Sequence, residues 1–260
     1  MVCATVLAAT STQPVGAQDD GPAEPGTPRA TTDSRWEAGL YEEMTVDTFR
    51  DHRPFNEMID PTAVDYSLLH AAVFYVTNET RVSRGRSALA WAGPLEIAAY
   101  HHARLMAEQR FFSHRNPRTA RRREPADRAR LAGVNNPRIA ENISSSFALQ
   151  YRPGTPIRVV SEAEYRYVDM TGRMIPFHTY LSFAETVVEQ WMDSPGHRRN
   201  MLSTNAVELG VGARMYRESD PAAFPKLAVV QKFQWYEPVE EGPREDPPVP
   251  GSPRRMPSPR

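Results

Sequence analysis

The chain has 260 residues and a mass of 29.3 kDa, with 31 Lys and Arg against 32 Asp and Glu for a formal net charge of -1. That balance excludes a polybasic nucleic-acid arm or an acidic buffer as the whole protein, and a single cysteine excludes an internal disulfide framework or a Cys-built zinc site. No apolar run reaches the roughly 18 residues that a membrane-spanning helix needs, while 24 Pro are more than one compact domain absorbs and predict disordered ends.

The chain opens on an apolar stretch, Val2 to Thr10, that contains Cys3. Small residues follow, and Val15-Gly16-Ala17 fits the small-x-small pattern of signal-peptide cleavage, so residues 1–17 read as a secretory signal with a mature start at Gln18. The charged segment that usually opens such a signal is missing, and the competing reading is a plain apolar leader. Residues 18–60 read as a flexible linker, with DDGPAEPGTPRATTDS at its start. Trp36, Leu40, Tyr41, Met44 and Phe49 inside it form either a strap on the domain or nothing ordered. The domain proper spans residues 61–236. Residues 237–260 carry eight Pro among 24 residues, with five acids and four Arg, and read as a disordered polyampholyte tail whose removal leaves stability unchanged.

Within the domain, Leu68, Leu69, Ala72, Val73 and Val76 make a helical stripe with Asp65 as N-cap. Pro94 opens a second helix with Leu95, Ala98, Ala99, His102, Leu105 and Met106 on one face. The spacing predicts a short strand from Ile139 to Phe147, alternation from Ile157 to Tyr167, a turn at Asp169 to Gly172 and a third helix from Leu181 to Met192. Strands follow at Glu208 to Tyr216 and Leu227 to Trp235. Helices first and strands last predict an α+β fold rather than a doubly wound sheet.

The motifs FFSH, AEN, W-x-x-SPGHR-x-NML, LGVG and VVQKF occur in this order, after an opening TNETRVSRGRSALAW. In that order the chain resembles the CAP superfamily (cysteine-rich secretory proteins, antigen 5 and pathogenesis-related proteins), and more narrowly its cysteine-free bacterial members. The resemblance covers about residues 66 to 236 and implies an α-β-α sandwich with a cleft holding two His and two acids. By position these match His114, Glu141 and His197, while the second acid is replaced by Ser194. Glu189 and Asp193, four apart on one helix face, are the candidates to supply the missing carboxylate.

Two imidazoles and a carboxylate can hold Zn²⁺ with an open position for water, so His114, His197 and Glu141 form a candidate metal set, although no local H-E-x-x-H spacing supports it. A polar structural network is the competing reading. Ser194-Pro195-Gly196 reads as a chain reversal presenting His197; Ser194 lies in no G-x-S-x-G elbow and does not read as a nucleophile. His102 reads as a core histidine, His101 as facing the polar side, and His178 as structural. The Arg run from Arg115 to Arg130 reads as a solvated face, with binding of an anionic polymer or lipid headgroup as the alternative. It lacks the interleaved aromatics that stack nucleobases, which argues against nucleic acid. Three functions follow. The first, and favoured, is a non-enzymatic exported module, secreted or in the periplasm or cell envelope, binding a lipid or envelope ligand. The others are a zinc-dependent hydrolase with Glu141 as ligand or base, and a structural envelope protein attached by its tails.

Overall fold

The structure, a computed structural model, describes residues 29–30, 34–152, 154–161, 164–218 and 224–251. The signal at 1–17 therefore lies outside the described residues, as do most of the early linker and residues 252–260. The elements run β1 (Arg29–Ala30), α1 (Leu40–Glu43), β2 (Ala63–Val64), α2 (Tyr66–Ser83), β3 (Ala90–Trp91), α3 (Gly93–Gln109) and α4 (Pro125–Leu131). They continue with β4 (Ile139–Phe147), β5 (Ile157–Ser161), β6 (Arg166–Asp169), α5 (Tyr180–Asp193), α6 (Pro195–Met201), β7 (Ala206–Tyr216) and β8 (Lys226–Trp235).

The main sheet has the order β3-β7-β8-β4, antiparallel except for the short β3–β7 pair. Side chains alternate across it, so each strand feeds two cores. Gly210 and Gly212 of β7 turn toward α3, where a Cβ would collide with the backbone at Leu95–Glu96 and Ala99–Tyr100. The two glycines of LGVG thus let the helix lie directly on the strand. Ile143, Ala228 and Val230 join α3 residues on this face. Val211, Ala213, Val229 and Phe233 pack on the other face with α2 and α5 residues such as Val73, Phe183 and Trp191. Helices therefore cover both faces of the sheet, the α-β-α layering expected of an α+β chain.

Both sheet edges are closed by helix side chains, which removes the open edge that invites strand addition. At β7, His70 Nε2 accepts the Ala213 N–H at 2.9 Å and Tyr66 Oη accepts the Met215 N–H at 3.3 Å. At β4, Trp191 Nε1 donates to the Ile143 carbonyl at 3.2 Å and Asn200 Nδ2 to the Glu141 carbonyl at 3.3 Å.

The flanks depart from the reading as linker and tail. Residues 34–60 take the strap alternative: Trp36 is buried, stacked on Phe55 with ring centroids 5.4 Å apart and edge-on to Tyr75 of α2. Asp65 caps α2 through the Leu68 N–H at 3.1 Å and also accepts from Ser34 Oγ at 2.6 Å and the Arg35 N–H at 2.8 Å. Residues 237–251 are not a detached tail. Glu245 and Asp246 N–H groups bond the Leu131 carbonyl at 2.9 and 3.0 Å, Arg122 pairs with Asp246, and Val249 is buried in the main core. Composition misleads here because proline restricts the chain before folding, so docking such a segment costs little entropy. The same segment covers His101, which is buried rather than on a polar face and donates Nε2–H to the Pro247 carbonyl at 2.9 Å.

Candidate functional site

β4 and β8 place Glu141 directly opposite Lys232, and the next pair, Asn142 opposite Gln231, points to the other face. These two cross-strand pairs organise the site from both sides of the sheet.

On the α3 face, Glu141 is buried. Its carboxylate contacts Lys232 Nζ and takes Arg128 Nη2 at 2.8 and 3.0 Å, and His114 Nδ1 lies 3.0 Å away. Burial alone would raise this carboxyl, but Lys232, the His114 hydrogen bond and Arg128 outweigh it and hold Glu141 well below the ordinary carboxylate range. Burial also lowers the Lys232 ammonium to about 8 against the pull of Glu141. Arg128 is completely buried and further bonds the carbonyls of His114, Arg122 and Arg123 at 2.9, 2.9 and 3.0 Å. It thereby folds the loop after α3 around the carboxylate.

Because Glu141 is ionised, His114 donates through Nδ1, and Nε2 faces outward on a side chain that is half exposed. His102 lies beneath. Burial pushes its imidazole down to about 3, so it is neutral and donates Nε2–H to the Ser113 carbonyl at 3.1 Å. The reading of His102 as a core histidine agrees with this geometry.

On the opposite face a line of amides ties α6 into the core. Asn200 Nδ2 donates to Asn142 Oδ1 at 2.9 Å, Asn142 Nδ2 to Gln231 Oε1 at 3.1 Å, and Gln231 Nε2 to Thr77 Oγ1 at 2.7 Å. Thr77 Oγ1 in turn donates to the Val73 carbonyl at 2.6 Å. Asn142 Nδ2 also reaches the His197 carbonyl at 3.2 Å. The Ser194-Pro195-Gly196 reversal starts α6, without a side-chain cap from Ser194, and presents a half-buried His197. Burial, and then the neighbouring His114, lower the His197 imidazole.

His114 and Glu141 are thus in contact at the start of β4, and the His197 carbonyl reaches the neighbouring Asn142, but these residues do not fit a zinc site. Among the described residues no three His, Cys, Asp or Glu side chains are placed to hold a metal ion. Glu141 spends its oxygens on Arg128, Lys232 and His114, and a divalent cation would stand beside two resident positive charges. Glu189 and Asp193 are exposed on α5 and do not join the cluster; the neighbouring Gln190 turns to Ser144 and Ser146 instead. His178 is structural, with Nδ1 3.0 Å from Ser182 Oγ.

Most of the Arg run is the solvated face expected: Arg115, Arg118, Arg121, Arg123 and Arg130 are exposed, with Arg115 paired to Glu124 and Arg130 to Asp127. The departures are Arg122, half-buried and paired with Asp246, and Arg128, which is interior. Sequence reasoning missed Arg128 and Lys232. A lysine and a glutamine inside the apolar strand VVQKF were the available signal; Arg128 had none, lying among six other arginines between 115 and 130.

Residues 74–233 match the model of the CAP family, described as the cysteine-rich secretory protein family. The chain belongs to that family. A curated relative, the uncharacterized membrane protein YlbC of Bacillus subtilis, is 26% identical over 177 residues, covering 64% of this chain and 40% of its own length. Among solved structures, an extracellular SCP-domain protein of Bacillus anthracis aligns with a TM-score of 0.41 and 20% identity, over 65% of this chain and 41% of that one. An outer surface protein of Borrelia burgdorferi aligns at 0.39 and 17%, over 64% of this chain and 91% of its own. The chain thus spans about two fifths of the length of YlbC and of the Bacillus anthracis protein. Among the described residues no helix is long and apolar enough to cross a membrane.

Proposed function

We propose that this CAP-domain chain is an exported binding module whose site at His114, Glu141 and His197 takes a lipid or cell-envelope ligand without chemical conversion. The observation that carries this reading is the state of Glu141. A carboxylate buried between Arg128 and Lys232 is held ionised and enclosed, so it is poorly placed to act as a metal ligand or a general base. Its remaining task is to orient His114. The outward Nε2 of His114 and the ring of His197 then offer hydrogen-bonding groups to a polar headgroup. The signal pattern ending at Ala17 supports export, as does a relative named as a membrane protein.

The test is solvent extraction of the purified full-length chain with mass spectrometry of what is released, beside co-sedimentation with phosphatidylglycerol and phosphatidylcholine vesicles. Wild type should carry or capture lipid, and the double variant His114→Ala, His197→Ala should lose it while keeping a cooperative melting transition. Equal capture by the double variant would remove the ligand from this site.

A further inference from the structure

Beside the loop that joins α3 to α4 lies an open hollow of about 420 Å³, lined by Ser113, Arg115, Asn116, Pro117 and Arg123. None of His114, Glu141 and His197 lines it, so it stands apart from the site described above. Arginine supplies the only charges in its wall, and no acid takes part.

The loop is held in shape by groups from the interior. Asn116 donates its N–H to the Arg123 carbonyl at 2.9 Å, and Arg128 Nη1 donates to the same carbonyl at 3.0 Å. His102 Nε2 donates to the Ser113 carbonyl at 3.1 Å, and Arg128 Nη2 to the His114 carbonyl at 2.9 Å. Both ends of the loop are thus tied to buried side chains, so a ligand pays little to order it.

One side chain in the wall is left over from this bonding. Asn116 is 1% exposed, and its Oδ1 accepts the Arg118 and Thr119 N–H groups at 2.8 and 3.1 Å. Its Nδ2 is buried and has no partner among the described residues. Buried amides are almost always paired, so an unpaired donor in the wall of a hollow calls for an acceptor from outside the chain. Water would satisfy the amide but not the charge around it. Arg123 is exposed and has no ion-pair partner among the described residues, and Arg115 meets Glu124 through Nε at 3.1 Å. Ser113 Oγ accepts the Arg115 N–H at 3.1 Å, which leaves its hydroxyl proton to donate. An amide, a hydroxyl and two guanidiniums offer more donors than the two oxygens of a carboxylate can fill. They match a tetrahedral oxyanion.

We infer that this hollow binds a phosphate group, its oxygens taken by Asn116 Nδ2, Ser113 Oγ, Arg115 and Arg123. Free phosphate and the phosphate of a lipid headgroup present the same chemistry to these donors.

Calorimetric titration of the full-length chain with sodium phosphate, with sodium acetate and with phosphatidylglycerol vesicles reads the site. Phosphate should bind saturably, at least about five-fold more tightly than acetate. Arg123→Gln removes an exposed charge and keeps the backbone carbonyl that Asn116 and Arg128 use. It should lose roughly five-fold or more in phosphate affinity at an unchanged melting temperature. Asn116→Asp keeps an oxygen for the Arg118 and Thr119 N–H groups and replaces the free donor by an acceptor, so it should lose at least as much. Vesicle binding that falls in the same variants assigns the headgroup as the source; vesicle binding that they leave unchanged assigns free phosphate. No saturable binding of phosphate, equal binding of acetate, or an affinity for phosphate that either folded variant leaves unchanged would overturn the inference. Arg123→Gln decides it even if Asn116→Asp folds poorly.

Discussion

Glu141 and Lys232 face each other across β4 and β8 inside the protein, and the pair is closed by Arg128, whose Nη2 lies 2.8 Å from Glu141 Oε2. Two cations around one carboxylate make this cluster costly to break and hard to replace in part. Removing one partner from such a buried group typically costs about 3–5 kcal/mol, because the others keep their desolvation and lose their compensation.

Glu141→Gln should therefore lower stability by about 3–5 kcal/mol at neutral pH, read from urea unfolding. The sign with pH follows from the depressed carboxyl. Its folded pKa lies below the ordinary 4.5, so the stabilisation is complete above pH 4.5 and is lost as pH falls through the folded value. The gap between wild type and Glu141→Gln should narrow in acid. A gap that stays constant from neutral pH into strong acid would show that Glu141 is not held ionised.

The flanks should behave as parts of the fold. Trp36→Ala should cost about 3–5 kcal/mol, as for other buried aromatics. Ending the chain at residue 236 uncovers His101 and removes the buried Val249 and the Asp246 partner of Arg122. That truncation should cost about 2 kcal/mol or more and lower the melting temperature by roughly 5 °C or more. A melting curve identical to that of the whole chain would return the segment to the detached tail that its composition suggests.

Gly212 should not accept a side chain. Gly212→Val drives a branched group into the α3 backbone at Ala99–Tyr100, and overpacking of this kind should cost about 3 kcal/mol or more. A valine variant with wild-type stability would mean that α3 can move off the sheet.

Much of this was legible in the residues. The helical stripe after Asp65, the Pro94 start and the closing strands fixed the element order, because apolar spacing reports directly on what is buried. SPGHR-x-N marked the reversal, and the structure supplies its reason: Asn200 anchors α6 to Asn142 and to the β4 edge. What stayed hidden was charge bookkeeping. Arg128 and its neighbours are identical in the sequence, and only the path of the loop decides which one is drawn inside. Trp36 was visible as one anchor of a strap, left open against disorder, whereas Val249 was hidden, since proline- and acid-rich surroundings say nothing about a single anchor side chain.

The amide line suggests a sharper experiment on the signature itself. Asn200→Ala leaves the Glu141 carbonyl and Asn142 Oδ1 without their donor, at a cost of about 1–3 kcal/mol. Hydrogen exchange should quicken first in α6. Exchange that rises evenly over the whole chain would mean that Asn200 holds no local structure.

Zinc titration into the full-length chain by calorimetry tests most directly whether the cluster is a neutralised hub or a metal site. Wild type should show no stoichiometric uptake, and Ser194→Glu should gain none, because Arg128 and Lys232 already occupy the carboxylate. One-to-one uptake by wild type that disappears in His114→Ala and in Glu141→Gln would contradict it.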